Sequence, residues 1–419
     1  MRTLFVHRSF PAQYEHLAAA LAARSGEEVV GLGEQDEDHE TLGDQDRGQP
    51  AGIRCLRYPP PPAAGALTHR YLQPLEAAVR RGQSVARAAM ALKSRGFRPD
   101  LVCCHPGWGE GLFLRDVFPD ARLLYYLEFY YSAQGGDVGF GEADHVSIDE
   151  AARVRILNAN HLLSMEAADW THTATHWQRS RFPAWAQERM TVLHEGVDTV
   201  AIRRQPDARF TLPDGRVLNA RDEVVTYVAR GLEPYRGFPQ FMRALPEILR
   251  QRPHAQVVIV GGDAPRYGVG PQEGGTWREA MLRELQGQFD HARVHFVGRV
   301  AHSTLHALLS ITAAHVYLTY PFILSWSLLE AMACACPVIA SATPPVQEVI
   351  EDGRNGRLVE FHSPKSLAAA VIDTLAHPDT AKELGRAARM DVVARYDLRS
   401  VCLPAGLRLL DSIAGGHTP

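Results

Sequence analysis

The chain has 419 residues, 46% hydrophobic and 22% charged, which suits two or three domains with ordinary cores. A formal charge of -4 gives no overall attraction to nucleic acid or an anionic bilayer, so any basic patch has to be local. No run approaches the roughly 18 apolar residues of a spanning helix, and the apolar part of "MRTLFVHRSFPAQ" is too short for a signal peptide, so a cytoplasmic protein is expected.

In chain order, short apolar runs end in polar or Gly-rich turns and are followed by helical stretches, the alternation of βα units on parallel sheets. The first half carries the strand runs "TLFVH" (3–7), "EEVVGLG" (27–33), "DLVCCH" (100–105), "RLLYYLE" (122–128) and "MTVLHEG" (190–196). A helix fits "AQYEHLAAALAARSG", closed by Gly26. The acidic run 33–50 reads as a solvated loop, and its DxD triplets (Asp36 to Asp38, Asp44 to Asp46) read as loop rather than metal site. "YPPPPAAG" (58–65) is a stiff spacer.

The basic helical stretch 69–96 shows an apolar stripe of Leu72, Leu75, Val79, Ala86 and Met90. It reads as an outer helix packing on a sheet in preference to a membrane-docking surface, since Gly82 and several Ala residues make a weak anchor. "WTHTATHW" reads as strand to turn, so the four-residue spacing of His172 and His176 is not taken as a zinc pair.

The second half carries "EVVTYVAR" (223–230), "QVVIVGG" (256–262), "RVHFVGR" (293–299), "HVYLTY" (315–320) and "PVIAS" (337–341). Two α/β domains of similar build follow, with a seam near 198–222, where periodicity is weak and turn residues are frequent. The last helical stretch, "LRSVCLPAGLRLLDSIAGG", is free to pack on either domain. Six cysteines (Cys55, Cys103, Cys104, Cys334, Cys336, Cys402) lack CxxC spacing and read as buried free thiols.

Ligands of open parallel sheets sit beyond the carboxyl ends of the strands. Those ends carry His7-Arg8, His105 before "PGWGEG", Glu128 and His194-Glu195-Gly196 in the first half. In the second half they carry Arg230-Gly231, Gly261-Gly262-Asp263, Gly298-Arg299 and the turn from Pro321 to Ser327. "VARGLEPYRGFPQFMRAL" sets Arg230 at a strand end and Arg236 just before a helix start, so two guanidiniums and free backbone N–H groups can converge on a diphosphate. "GVGPQEGG" lacks GxGxxG spacing and no GxxxxGK[ST] is present, which argues against a dinucleotide dehydrogenase and a P-loop enzyme.

In "YPFILSWSLLEAMACACPVIAS" (320–341) one carboxylate, Glu330, stands among apolar and small residues, and nothing within the segment can pair with it. Arg230, Arg236, Gly298 and "LLEAMACACPVIAS" followed by "PPVQEVIEDGRNGRLV", with "HPGWGEGLF", "EFYY", "THWQRSRFP" and "HEGVD" earlier, resemble family 4 of the retaining glycosyltransferases. The resemblance covers nearly the whole chain and is strongest over 224–360.

The resemblance implies an α/β chain of GT-B architecture, two Rossmann-like domains with parallel sheets facing each other across a cleft. Residues 1–198 would form the acceptor-side domain, 199–390 the nucleotide-sugar-binding domain, and 391–419 a helix packing back on the first domain. It implies transfer of a hexose-type sugar from a UDP or GDP sugar, with retention, to a saccharide, small-molecule or lipid-linked hydroxyl. It implies no obligatory cofactor or metal beyond the nucleotide sugar as co-substrate, and no nucleic-acid partner. Peripheral membrane contact is allowed but not favoured. A nucleotide-sugar epimerase and a non-catalytic nucleotide-sugar-binding protein are the alternatives.

By the same resemblance Glu330 accepts from the donor's ribose hydroxyls near a helix amino end, and Ser325, Trp326 and Ser327 lie along diphosphate and sugar. Arg230 and Arg236 neutralise the leaving diphosphate, and Gly298, Arg299 and Gly262 meet the nucleotide. His105 and Glu128 face the reacting sugar, while His7, Phe10, Gln13 and His194 are candidates for the acceptor or its loop. One departure stands out: the family's first Glu, eight residues before Glu330, is Phe322 here.

Overall fold

The computed structural model describes residues 1–35, 52–140, 146–265, 267–268 and 270–418. The acidic DxD triplets fall outside the described residues. Two compact units form, one of Met1–Gly196 with Arg399–Pro419, the other of Val197–Leu398. The segment 391–419 is thus divided, because the helix Pro378–Tyr396 runs on within the second unit before the chain returns.

The first unit is built on seven parallel strands: β1 (Arg2–Val6), β2 (Glu28–Glu34), β3 (Ile53–Tyr58), β4 (Leu101–Cys104), β5 (Arg122–Tyr126), β6 (Trp170–Thr173) and β7 (Met190–Val192). Their order is β3-β2-β1-β4-β5-β6-β7. β1, β4 and β5 are near-continuous apolar runs because helices cover both faces of a parallel sheet. One face packs Leu4, Val6, Val102 and Leu123 under Val85, Ala89 and Leu92 of the helix Gln73–Ser94. The other packs Phe5, Leu101, Cys103 and Leu124 with Leu21, Leu409, Leu410 and Ile413, so the terminal helix Leu403–Ala414 belongs to this unit's core.

The helix Gln73–Ser94 packs as an outer helix, but on a rotated stripe. Ala78, Gly82, Val85, Ala89 and Leu92 face inward, while Leu72 and Met90 are exposed. Small residues win the inward face because the backbone must approach closely: a Cβ at Gly82 would lie 2.9 Å from the Gly109 carbonyl. No described helix is long and apolar enough to cross a membrane.

The second unit opens with an antiparallel pair, β8 (Arg209–Thr211) and β9 (Val217–Asn219), inside the supposed seam. The "PDG" between them is a turn signal that periodicity alone overlooks. The main sheet follows: β10 (Val224–Gly231), β11 (Gln256–Gly262), β12 (Val294–Gly298), β13 (Ala314–Tyr317), β14 (Val338–Ser341) and β15 (Arg357–Val359), parallel throughout. The order β12-β11-β10-β13-β14-β15 puts the reversal of strand order between β10 and β13, as it lies between β1 and β4 in the first unit. Cys334 and Cys336 are fully buried core thiols, and Cys336 Sγ donates to the Leu309 carbonyl. All six cysteines are free.

Candidate functional site

In each unit the strand-order reversal opens a crevice at the carboxyl ends of two neighbouring strands. In the second unit those ends are Arg230 on β10 and the stretch from Thr319 to Ser327 after β13. Arg230 is exposed and has no ion pair among the described residues. Arg236 lies buried in the short turn Pro234–Arg236, and its Nη1 donates to Thr319 Oγ1 at 2.8 Å and to the Ile323 carbonyl at 3.2 Å. These partners are neutral, so the guanidinium keeps its charge uncompensated by any carboxylate among the described residues.

Gly237 then caps the helix Phe238–Gln251 with φ +67, and a Cβ there would clash with Leu318. Glycine at this position lets the Arg236 turn and the β13 exit approach each other.

The turn after β13 leads into the helix Trp326–Ala333, whose N-cap is Ser325. Ser325 Oγ accepts from Ser327 N–H at 3.4 Å and lies 2.9 Å from Ser327 Oγ, and Ser325 N–H donates to the Tyr317 hydroxyl. Trp326 is partly exposed. Glu330 is the fifth residue of this eight-residue helix, in its middle rather than at its amino end, so the helix dipole gives it little support. Its carboxylate lies instead beside two imidazoles of the neighbouring helix His302–Ile311: one ligand atom each from His302, His306 and Glu330 lie within 4.8 Å of one another. The pair reads H-x3-H in "AHSTLHALL", a spacing as legible as that of His172 and His176 but passed over. Those other two histidines part company, His172 on β6 and His176 opening a helix behind its N-cap Thr175.

Gly298 ends β12 with φ +66, and a Cβ at Gly262 would lie 3.1 Å from Arg299 Nε, so Gly262 and Arg299 pack together at the same sheet end. Phe322 is buried in an aromatic cluster, 5.1 Å from the Tyr267 ring and 5.8 Å from Tyr235, which stacks on Tyr320 at 4.7 Å. Arg236 reaches over Tyr267 with its guanidinium carbon 5.6 Å from the ring centre. The turn therefore presents an apolar wall where the resemblance led to the expectation of a carboxylate.

In the first unit four of the sequence-derived candidates converge. The His7 and His105 rings, at the ends of β1 and β4, lie 4.9 Å apart, and His105 Nε2 is 3.7 Å from the Glu128 carboxylate. Gln13 Nε2 donates to Glu128 at 3.4 Å. Trp108 stacks on His105 at 4.9 Å, and Asn160 holds the loop beneath by donating to the Pro106 and Gly107 carbonyls. Burial, with the charge of His105, keeps His7 well below the usual imidazole range. Burial likewise brings His161 and His172 down to about 4. His7, His161 and His172 are consequently neutral imidazoles, each able both to donate and to accept a hydrogen bond.

Two candidates fall elsewhere. Phe10 is a core residue whose ring covers Gly31, so it is packed away from solvent rather than presented by a loop. His194 is engaged in its own turn, Nδ1 accepting from Gly196 N–H at 3.0 Å, while the neighbouring Glu195 acts electrostatically on Tyr126 and His172. Sequence reasoning also passed over two buried acids, Glu34 and Glu110, and the half-buried Arg81 between them, whose Nε donates to Glu34 at 2.8 Å and lies 3.7 Å from Glu110. They pin the helix Gln73–Ser94 to the "PGWGEG" loop.

Residues 25–202 match the family described as Glycosyl transferase family 4 group, and residues 209–391 match Glycosyl transferases group 1. A GDP-mannose-dependent alpha-(1-6)-phosphatidylinositol monomannoside mannosyltransferase of Mycobacterium tuberculosis is 32% identical over 69% of this chain and 71% of its own. The corresponding protein of Mycolicibacterium smegmatis is 29% identical over 59% and 63%. D-inositol 3-phosphate glycosyltransferase of Streptomyces coelicolor is 27% identical over 48% and 46%, so the chain spans between about half and two thirds of the length of these last two relatives. Among solved structures, sucrose-phosphate synthase from Thermosynechococcus elongatus aligns over 99% of this chain and 100% of its own with TM-score 0.72 at 21% identity. HepE of Anabaena, in complex with UDP-glucose, aligns over 99% and 100% with TM-score 0.69 at 17%.

Proposed function

The chain belongs to the family 4 glycosyltransferases of the GT-B fold, and from that membership we propose that it moves a hexosyl group, with retention, from a nucleoside-diphosphate sugar to an acceptor hydroxyl. The observation that carries this reading is the pair Arg230 and Arg236 at the second unit's strand-order reversal, two guanidiniums with no carboxylate partner among the described residues. A diphosphate is the dianion that such a pair fits.

In the proposed reaction the bond from the anomeric carbon to the diphosphate oxygen breaks while the acceptor oxygen bonds to the same face of that carbon. The acceptor proton passes to the departing phosphate oxygen. Arg230 and Arg236 stabilise the charge that grows on the diphosphate, and the backbone N–H groups around Ser325 to Ser327 orient it. Glu330 accepts from the ribose hydroxyls. His105, Glu128, His7 and Gln13 supply hydrogen bonds to the hydroxyl-rich partner on the first unit. GDP-mannose is the first donor to test, since mannosyltransferases named for that donor are among the sequence relatives, and a lipid-linked or inositol-type acceptor is the first acceptor.

The test is a thermal-shift screen of GDP, UDP and their mannose and glucose derivatives, followed by turnover of radiolabelled donor with lipid and soluble acceptors. A rise in melting temperature with one nucleoside diphosphate and transfer of label are expected. The aromatic wall around Phe322 favours a second reading, a nucleotide-sugar-binding protein without turnover. Tight binding with no transfer or hydrolysis would select it.

A further inference from the structure

His302 and His306 stand one turn apart on the helix His302–Ile311, so both project from one face, with ring centres 6.0 Å apart. Glu330 comes to them from a different helix, Trp326–Ala333. One ligand atom of each lies within 4.8 Å of the other two. His306 Nε2 is buried with no hydrogen-bond partner, while His302 is exposed, so the site has both an orphaned donor atom and an entrance. This is the sole such group of three among the described residues.

The donor set decides the ion. Two imidazoles and one carboxylate suit Zn²⁺ and its neighbours Co²⁺ and Ni²⁺, whereas Mg²⁺ and Ca²⁺ call for oxygen ligands throughout. Tetrahedral ligands at about 2.0–2.2 Å from an ion sit about 3.4 Å from one another, so binding draws the three atoms inward by about an ångström, within the reach of side-chain rotation. Three protein ligands leave a coordination position open to solvent or a further ligand.

We propose that His302, His306 and Glu330 bind a divalent transition-metal ion, Zn²⁺ by preference, and that the bound ion excludes the donor nucleotide by occupying the carboxylate that otherwise takes the ribose. The second half of this proposal rests on the role given above to Glu330, and the first half does not. The ion is an inhibitor of this site, and no chemical step passes through it.

The experiment uses the full chain stripped of metal by a chelator and then dialysed. Titration with Zn²⁺ by calorimetry, and with Co²⁺ followed by its visible absorption, is compared between the wild type, His302→Ala and His306→Ala. His302 is exposed, so its replacement leaves the fold intact. One equivalent of tight binding lost in both variants is expected, and equal stoichiometry and affinity in all three overturns the site. Binding of GDP and UDP is then measured at fixed Zn²⁺ in wild type and His302→Ala, the variant correcting for metal bound by the nucleotide itself. At least tenfold weaker nucleotide binding in the wild type alone is expected, and equal weakening in both overturns the exclusion. If neither nucleotide binds the metal-free wild type, the donor reading fails, while the Zn²⁺ titration still decides the metal site.

Discussion

Arg236 donates to the Thr319 hydroxyl at 2.8 Å, which fixes a buried guanidinium against the exit of β13 through a neutral partner. The partner holds the side chain without spending its charge. Thr319→Val keeps the shape and removes the acceptor, and one such hydrogen bond is worth about 1 kcal/mol, so kcat should fall about five- to tenfold. Arg236→Ala should lower turnover by about a hundredfold or more with a smaller change in donor affinity. Steady-state kinetics on both variants check this, and equal, wild-type turnover in both would remove Arg236 from the site.

Arg230 differs in having no ion-pair partner to release among the described residues. Its charge-assisted bonds to a diphosphate are worth about 1.5–3 kcal/mol, so Arg230→Ala should weaken GDP or UDP binding about 10- to 100-fold while the melting temperature without ligand stays within a degree or two. Glu330→Ala should weaken nucleotide binding as well, and a nucleoside without its diphosphate should feel Glu330→Ala but not Arg230→Ala. Calorimetry with the nucleotide and the bare nucleoside separates the two contributions.

Phe322 occupies the place of the family's first Glu, yet restoring that residue should not restore a sugar contact. The ring is buried against Tyr267 and Tyr235, and a carboxylate there would lose about 3–5 kcal/mol of packing and go without solvent. Phe322→Glu is expected to lower the melting temperature by several degrees and to reduce turnover. A Phe322→Glu protein with unchanged melting and higher activity would show that the aromatic cluster is dispensable.

The strand cores were legible because parallel strands covered on both faces must be continuous apolar runs, and β1, β2, β4, β5, β10, β11, β12, β13 and β14 all are or nearly so. Short or polar elements were read unevenly: the edge strand β7 was found, whereas β3 was not, and Arg357–Val359 and the pair β8 and β9 carry too few apolar residues for a period to emerge. Strand-end reasoning brought His7, His105 and Glu128 to one sheet end and Arg230 to the end of β10, since a strand fixes where its last side chain goes, while Arg236 comes from the turn that follows. Phe10, offered by the resemblance as a loop residue, is instead buried over Gly31 of the neighbouring strand β2, a contact that no local pattern shows. The nearness of His302 and His306 to Glu330 was invisible for the same reason, as two helices joined through β13 meet only in three dimensions.

His315, on β13 beside the strand-order reversal, is fully buried, with Nδ1 2.9 Å from the Thr226 hydroxyl, and burial brings it down to about 4. An unfolded chain has its histidines near 6.5, so between these values the unfolded state binds the proton and the folded state does not. The stabilising contribution is therefore whole above about pH 6.5 and is lost as pH falls toward 4, at about 1.4 kcal/mol for each pH unit below 6.5. Hydrogen exchange of peptides covering β10, which pairs directly with β13, and of β11 on its far side should show protection falling between pH 7 and 5. His315→Gln cannot take up that proton on unfolding, so it should start less stable and lose less over the same interval, after correction for the intrinsic pH dependence of exchange. If variant and wild type lose protection in parallel, the imidazole is charged in the folded protein, and a charge at that depth would need a carboxylate that β10, β13 and β14 do not present.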